Sequence, residues 1–284
     1  MSIAYLDPGN IAGDLDAGVK GGYTLIWTLL WATILGLFYQ SMAARIGIVT
    51  QRNLAKLSAE QFTTRTRYIL WIMTELAIIG SDIQEVLGSA TALNILLGIP
   101  IPWGAVITIL DSLLFLFIHY YGVRKLEGFF VFLIAVMAIC FGINMFESKP
   151  DYGKIFGNMF IPTEPIPKDA LQPALGLVGC VIMPHNIYLH SALVLSRKIN
   201  MKSKNEIRDA AIYNNIESGF SLFISFVIST FVISTFAVYI TTPDWLDRDP
   251  EDQNLDLKSA SEALETVFGE YSKYIWALGL LAAG

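Results

Sequence analysis

Proline interrupts two apolar stretches of this chain where each would otherwise run on as one membrane-length helix. The strings are Asp7-Pro8-Gly9-Asn10 and Met183-Pro184-His185-Asn186, both of the form x-Pro-x-Asn. Proline carries no N–H, its ring clashes with the preceding turn, and it moves the residue before it out of α geometry. Each helix is therefore expected to break there, freeing backbone carbonyls and exposing half-helix ends. Irregular backbone at membrane depth survives only where protein or a cavity satisfies it. Two broken helices in corresponding positions of two halves point to the binding site of a secondary transporter.

Composition supports the membrane setting. Hydrophobic residues make up 54% of the chain and charged residues only 15%, against about 25% charged in soluble domains. The mean hydropathy is +0.53. A water-soluble globule is excluded, and the lipid bilayer is the partner this composition demands. Apolar runs predict helices near 1–18 (broken), 23–49, 66–97, 102–120, 126–147, 171–197 (broken) and 209–240, with an eighth from about 271. The breaks fall in the first and sixth helices. Five is an odd number, so a second copy of a five-helix unit runs through the membrane in the opposite sense. The expected fold class is an all-α polytopic membrane protein with the LeuT-type inverted five-plus-five repeat and discontinuous helices 1 and 6. The expected divisions are a first repeat at 1–147, an extracellular loop at 148–170, and an incomplete second repeat at 171–284 with an acidic extracellular loop at 241–270. Both ends read as lying inside helices, so a further part of the second repeat is expected beyond this stretch.

Basic residues sort unevenly between alternate connections, twelve against seven. An excess of Lys and Arg marks the cytosolic side, which places the start of the chain in the cytosol and residues 244–270 outside as a solvated loop with a disordered acidic tip. A plasma, endosomal, lysosomal or vacuolar membrane suits this topology. The net charge of −6 gives no basic face for a nucleic acid. Two cysteines, Cys140 and Cys180, cannot build a disulfide framework or a Cys-rich zinc module. No nucleophile with a base, phosphate loop or zinc signature suggests an enzyme. His185 and His190 are five residues apart, about 140° around a helix, which is wrong for a one-faced zinc pair at i, i+4. No permanently bound cofactor is implied, and the oligomeric state is not readable.

At the first break Asp7 offers an anionic oxygen, Asn10 an amide oxygen, and Gly9 a close backbone approach. At the second, Met183 offers a thioether, and the unwound turn presents the carbonyl of Cys180. Calcium and magnesium take oxygen ligands, whereas a thioether favours later first-row and soft cations. A lone carboxylate at membrane depth also calls for a positive partner. Further along, Glu75, Asp82 and Glu85 fall on one side of a spanning helix, rotated by about −20° and −80° from the first. Intramembrane acids of this kind mark ion pathways or proton relays. His185, in the break, is a pH-responsive group, and His190 is a weaker candidate for the same role.

These strings, DPGN at 7–10, ELAIIGSDIQEVLGSA at 75–90, MPHN at 183–186 and HSALVLSRK at 190–198, closely resemble the Nramp family of proton-coupled divalent metal transporters, in family order along essentially the whole chain. The resemblance implies that Asp7, Asn10 and Met183 are metal ligands joined by the carbonyl of residue 180, with Mn²⁺ or Fe²⁺ and protons as the transported substrates. Many family members carry alanine at that last place. Cys180 here either keeps the carbonyl role alone or adds a thiol beside the site. The resemblance also implies that Asp82 accepts a proton from the metal site, that Glu85 leads on to a salt-bridge network at the cytosolic side, and that Arg197 belongs to that network. A glutamine of helix ten and basic residues of helix nine, used by the family, have no counterpart in this stretch. Two other readings remain open at this level. One is a sodium-coupled amino-acid or amine carrier of the same fold, in which Asp7 would repel a substrate carboxylate. The other is a metal-conducting channel or sensor.

Overall fold

The computed structural model describes residues 6–120, 123–162, 165–196, 201, 203–247 and 255–284, and only the backbone over 111–120 and 123–127. Every regular element among the described residues is helical. The first break is followed by α1 (Pro8–Gly21), a 3-10 turn (Gly22–Leu25) and α2 (Ile26–Thr50). A short α3 (Leu54–Gln61) precedes α4 (Thr64–Leu97) and α5 (Ile101–Tyr120), and then come α6 (Val123–Ser148) and the short α7 (Tyr152–Phe160). The second break separates α8 (Leu171–Val181) from α9 (Pro184–Leu193). The long α10 (Lys204–Tyr239), the single turn α11 (Pro243–Leu246), α12 (Leu257–Phe268) and α13 (Glu270–Ala283) complete the chain.

Among the described residues four stretches are long and apolar enough to cross a membrane: 8–50, which holds both α1 and α2, then 128–148, 168–196 and 204–239. The pair α4 and α5 passes the same test together and bends by 118° at its turn. That turn follows from local chemistry. Gly98 takes the left-handed conformation at φ 68, Asn94 Nδ2 donates to the Ile99 carbonyl at 2.8 Å, and Pro100 follows.

The connections hold more structure than hydropathy predicts. The loop expected at 148–170 contains α7, capped by Asp151, whose side chain accepts the Lys154 N–H at 3.2 Å. The acidic segment 244–270, expected as solvated loop, contains α12. Asp256 and Ser259 form a reciprocal capping box at its start, and Ala260, Ala263 and Leu264 are fully buried against the bundle. Hydropathy misses such a helix because its apolar face is built from small residues on an amphipathic stripe. The tip at 248–254 lies outside the described residues, as do residues 1–5 of the expected first half-helix.

The core is organised on α10. One cluster joins Leu6, Ile11 and Leu15 at the start of the chain to Phe141 of α6, Val232 and Phe236 of α10, Trp276 of α13, and Leu264 of α12. The Trp276 ring stands 5.2 Å from Phe141 and 5.4 Å from Phe236. A second cluster joins Leu25, Ile26 and Leu29 to Leu177 and Val181 of α8 and to Leu222 and Phe226 of α10. Apolar surface gives little drive for helices to pair inside lipid, so close backbone approach at small residues carries the pairing. Gly18 of α1 shows this: a Cβ there would meet the Ile233 carbonyl oxygen of α10 at 2.7 Å and the Phe236 Cβ at 2.9 Å.

Because the obstacle at Gly18 is backbone, it cannot swing aside. Gly18→Val is expected to lower the melting temperature of the detergent-purified protein by the equivalent of about 1–3 kcal/mol of overpacking. Gly128→Ala, where an added Cβ meets nothing within 4 Å, should melt no lower than the parent. A Gly18→Val protein that melts like the parent would show that α1 and α10 do not pack this closely.

Candidate functional site

At the first break Asp7 is extended, at φ −68 and ψ 162, with Pro8 following in the first helical position. Aspartate before proline is a favoured helix start, because the carboxylate satisfies a free N–H and proline has none to lose. One Asp7 oxygen accepts the Asn10 N–H at 2.7 Å. The other accepts the Ser81 hydroxyl of α4 at 3.3 Å. Asn10 is 5% exposed, and its side-chain NH₂ has no hydrogen-bond partner. A half-turn of that amide interchanges oxygen and nitrogen, so the same buried position can offer an oxygen to a cation.

At the second break α8 ends at Val181, and Ile182 (φ −102, ψ 69) and Met183 (φ −82, ψ 119) leave helical geometry. In a continuous helix the Cys180 carbonyl would accept the N–H of residue 184. Pro184 has no N–H, so that carbonyl loses its helical donor. Met183 is 7% exposed, and its sulfur takes the Asn186 amide at 3.0 Å. His185 is half-buried, and its Nδ1 has no partner.

These residues converge. Asp7, Asn10, Cys180, Met183 and His185 line one open cavity of about 260 Å³, bordered on its third side by Ala77, Gly80, Ser81 and Gln84 of α4. The first break and α4 are held together by further close approaches. A Cβ on Gly9 would meet the Gln84 side chain at 2.1 Å, and one on Gly88 would meet the Pro8 ring at 2.1 Å. The ring is rigid, so the Gly88 contact sets how far the first break stands from α4.

The face that α4 turns to the cavity runs through 77, 80, 81 and 84. The acids named from the sequence sit about 100° round from it. Asp82 and Glu85 are exposed, as is Glu75, whose carboxylate accepts the Trp71 indole N–H at 2.9 Å. Asp82 and Glu85 therefore do not line the cavity, though their charges reach it: Asp82 interacts electrostatically with His185, and Glu85 with Asp7. Arg197 lies outside the described residues. Reasoning from sequence missed Ser81 and Gln84, which carry no charge and stand one place before the conspicuous acids. It also missed Asp14, buried at 3% exposure, although the spacing of 7, 10 and 14 repeats on one face of α1 and was open to view.

Comparisons with known proteins now bear on this geometry. The family model described as natural resistance-associated macrophage protein-like matches residues 1–284. The chain belongs to the Nramp family. Among Nramp relatives, it is 47% identical over 286 residues to the metal transporter nramp1 homolog of Dictyostelium discoideum, covering 100% of this chain and 52% of that protein. It is 47% identical over 304 residues to natural resistance-associated macrophage protein 2 of Mus musculus, covering 100% and 54%. The chain thus spans about half the length of the curated relatives it matches. The crystal structure of the Eremococcus coleocola manganese transporter in complex with an aromatic bis-isothiourea substituted compound superimposes at a TM-score of 0.79 and 31% identity, over 99% of this chain and 60% of that one. The architecture is accordingly the all-helical, LeuT-like Nramp fold of a multi-pass membrane protein.

Gly88→Ala tests the coupling of α4 to the first break. The added methyl must displace the Pro8 ring, and Asp7 with it. Mn²⁺ binding by the full-length protein is expected to weaken at least tenfold, as read by isothermal titration, while Gly128→Ala, away from the cavity and with open space around its Cβ, weakens it less. Equal affinities in the two variants would show that Pro8 does not set the cavity.

Proposed function

We propose that the protein is a proton-coupled secondary transporter that carries Mn²⁺, Fe²⁺ or a similar divalent transition-metal ion into the cytosol. The observation that carries this reading is the convergence of both proline breaks on one cavity, which brings together a carboxylate, an amide oxygen, a backbone carbonyl and a thioether from residues far apart in sequence. Its Nramp kinship supports the same chemistry, since relatives bear the names of metal and manganese transporters. The family is one of transporters, and the metal is substrate.

The transported ion would be held by the Asp7 carboxylate, the Asn10 amide oxygen, the Cys180 carbonyl and the Met183 sulfur. Binding at Met183 requires the Asn186 amide to yield the thioether. One carboxylate neutralises half of a divalent charge, and a soft sulfur replaces a water that Ca²⁺ or Mg²⁺ would keep. With the chain start on the cytosolic side, a negative-inside membrane favours inward movement by about 2.3 kcal/mol per charge per 100 mV. Proton movement is assigned to His185, Asp82, Glu85, Glu75 and Arg197. What supports His185 as its first member is its place in the cavity wall, within the fields of both Asp7 and Asp82. The Ser81 hydroxyl bonds Asp7 at 3.3 Å, one residue before Asp82 on α4.

Uptake of radioactive manganese into proteoliposomes that are acidic outside, using full-length protein, tests the reading. Asp7→Ala is expected to abolish uptake, and uptake indifferent to that change would sink the metal-site assignment. Met183→Ala should retain Mn²⁺ uptake but let Ca²⁺ compete about tenfold more effectively, by loss of the thioether's preference. Unchanged discrimination would mean that the sulfur only fills space.

A further inference from the structure

A second cavity, of about 380 Å³, lies apart from the metal donors, between the short α3, the start of α4 and α9. That volume is within the range of ligand sites, about 300–1,000 Å³. Ala55 and Ala59 of α3, Tyr68, Leu70 and Trp71 of α4 and Tyr188 of α9 form most of its wall. Thr74, also in the wall, turns its hydroxyl back to the Leu70 carbonyl at 2.8 Å, so that hydroxyl is satisfied within α4. The interior therefore offers mainly methyl groups and ring faces. Its level in the bilayer follows from α4, of which Arg67 is in the first turn and Tyr68 and Trp71 in the next. Basic and aromatic side chains gather in this way where acyl chains meet headgroups, and an apolar wall at that level suits an acyl chain.

The rim is positively charged. Between residues 45 and 67 five basic side chains stand against one acid, Glu60, and Glu60 is taken by Arg52. Among the described residues no carboxylate pairs with Lys56, Arg65 or Arg67. All three are exposed. Arg67 itself lines the cavity, and its guanidinium carbon stands 5.5 Å from the centre of the Tyr68 ring. That cation–π contact holds the group at the rim and leaves its N–H donors for an anion. A basic cluster directly beside a spanning helix on the cytosolic side attracts anionic headgroups, and this side is cytosolic in the orientation proposed above. The cavity also adjoins the tie between α3 and α9, where Ser191 Oγ accepts the Leu54 N–H at 2.9 Å and donates to the Tyr188 carbonyl at 2.7 Å.

We propose that this cavity binds one anionic phospholipid of the cytosolic leaflet, its acyl chain lying against Ala55, Ala59 and Trp71 and its phosphate on Arg67, with Lys56 and Arg65 beside it. Charge selects the headgroup, and the apolar wall selects a lipid over a water-borne phosphate. The site is separate from the metal cavity, since the two share no lining residue.

Trp71 reports occupancy directly, because bromine on an acyl chain quenches indole fluorescence on contact. Full-length protein is placed in phosphatidylcholine nanodiscs containing a minor fraction of brominated phosphatidylglycerol or, separately, brominated phosphatidylcholine, and the Trp71 signal is the difference from Trp71→Phe. Brominated phosphatidylglycerol is expected to quench Trp71 at a concentration at least about fivefold lower than brominated phosphatidylcholine. Arg67→Gln should reduce that preference by about fivefold, which is what one basic residue near an anionic headgroup contributes. Equal quenching by the two lipids in the parent protein would overturn the proposal. So would the absence of Trp71 quenching by either, which would show that the remainder of the full-length chain covers the cavity. Ala59→Phe keeps Arg67 and fills the cavity, so the preference should disappear. A preference that survives Ala59→Phe would show that rim charge alone gathers the lipid, and the cavity assignment would fall. No metal enters the measurement, so its outcome stands apart from that of the transport reading.

Discussion

Pro8 and Pro184 each withhold one N–H from a helix that has no water to turn to, and the site is organised around that deficit. At the first break the Asp7 carboxylate accepts the free N–H of Asn10 at 2.7 Å and caps α1. At the second, the Cys180 carbonyl is left without its helical donor, and Met183 leaves the helix beside it. An irregular backbone of this kind needs surrounding protein to define it. That protein is α4, whose Gly88 meets Pro8 and whose Ser81 bonds Asp7.

The same economy of small residues runs through the packing. Gly18 lets α1 reach the backbone of α10, and Gly47 would place a Cβ 2.7 Å from the Ser191 carbonyl oxygen of α9. Ser191 in turn accepts the Leu54 N–H at 2.9 Å, tying the short α3 to α9. The half-helix beyond each break is thus docked on continuous helices, α1 on α10 and α9 on α2. Motion at the site would have to begin where the chain is broken, since the docked halves are gripped backbone to backbone.

Most of the architecture was legible from the sequence, because membrane-length apolar runs and prolines act locally and strongly. The expected spans correspond to α1, α2, α4, α5, α6, α8 with α9, and α10, and α13 begins where the eighth was placed. The short helices were not legible. α3 and α7 depend on Asn53 and Asp151 caps, and α12 buries alanines that barely register in hydropathy. At the site, charge drew attention to Asp82 and Glu85, whereas Ser81 and Gln84 face the cavity. A shift of one residue turns a helix by about 100°, and nothing in a single sequence says which of two neighbouring polar residues faces inward.

The sequence by itself determined that the chain lives in lipid, that two of its helices break, and which oxygen and sulfur donors stand at the breaks. These follow from composition and from proline's missing N–H, which no tertiary context can restore. Only the tertiary structure decided that the two breaks share one cavity, that α4 presents serine and glutamine to it in place of its acids, and that Asp14 is buried. Those outcomes depend on helix rotation and on close approach at glycines, and both are properties of pairs of helices.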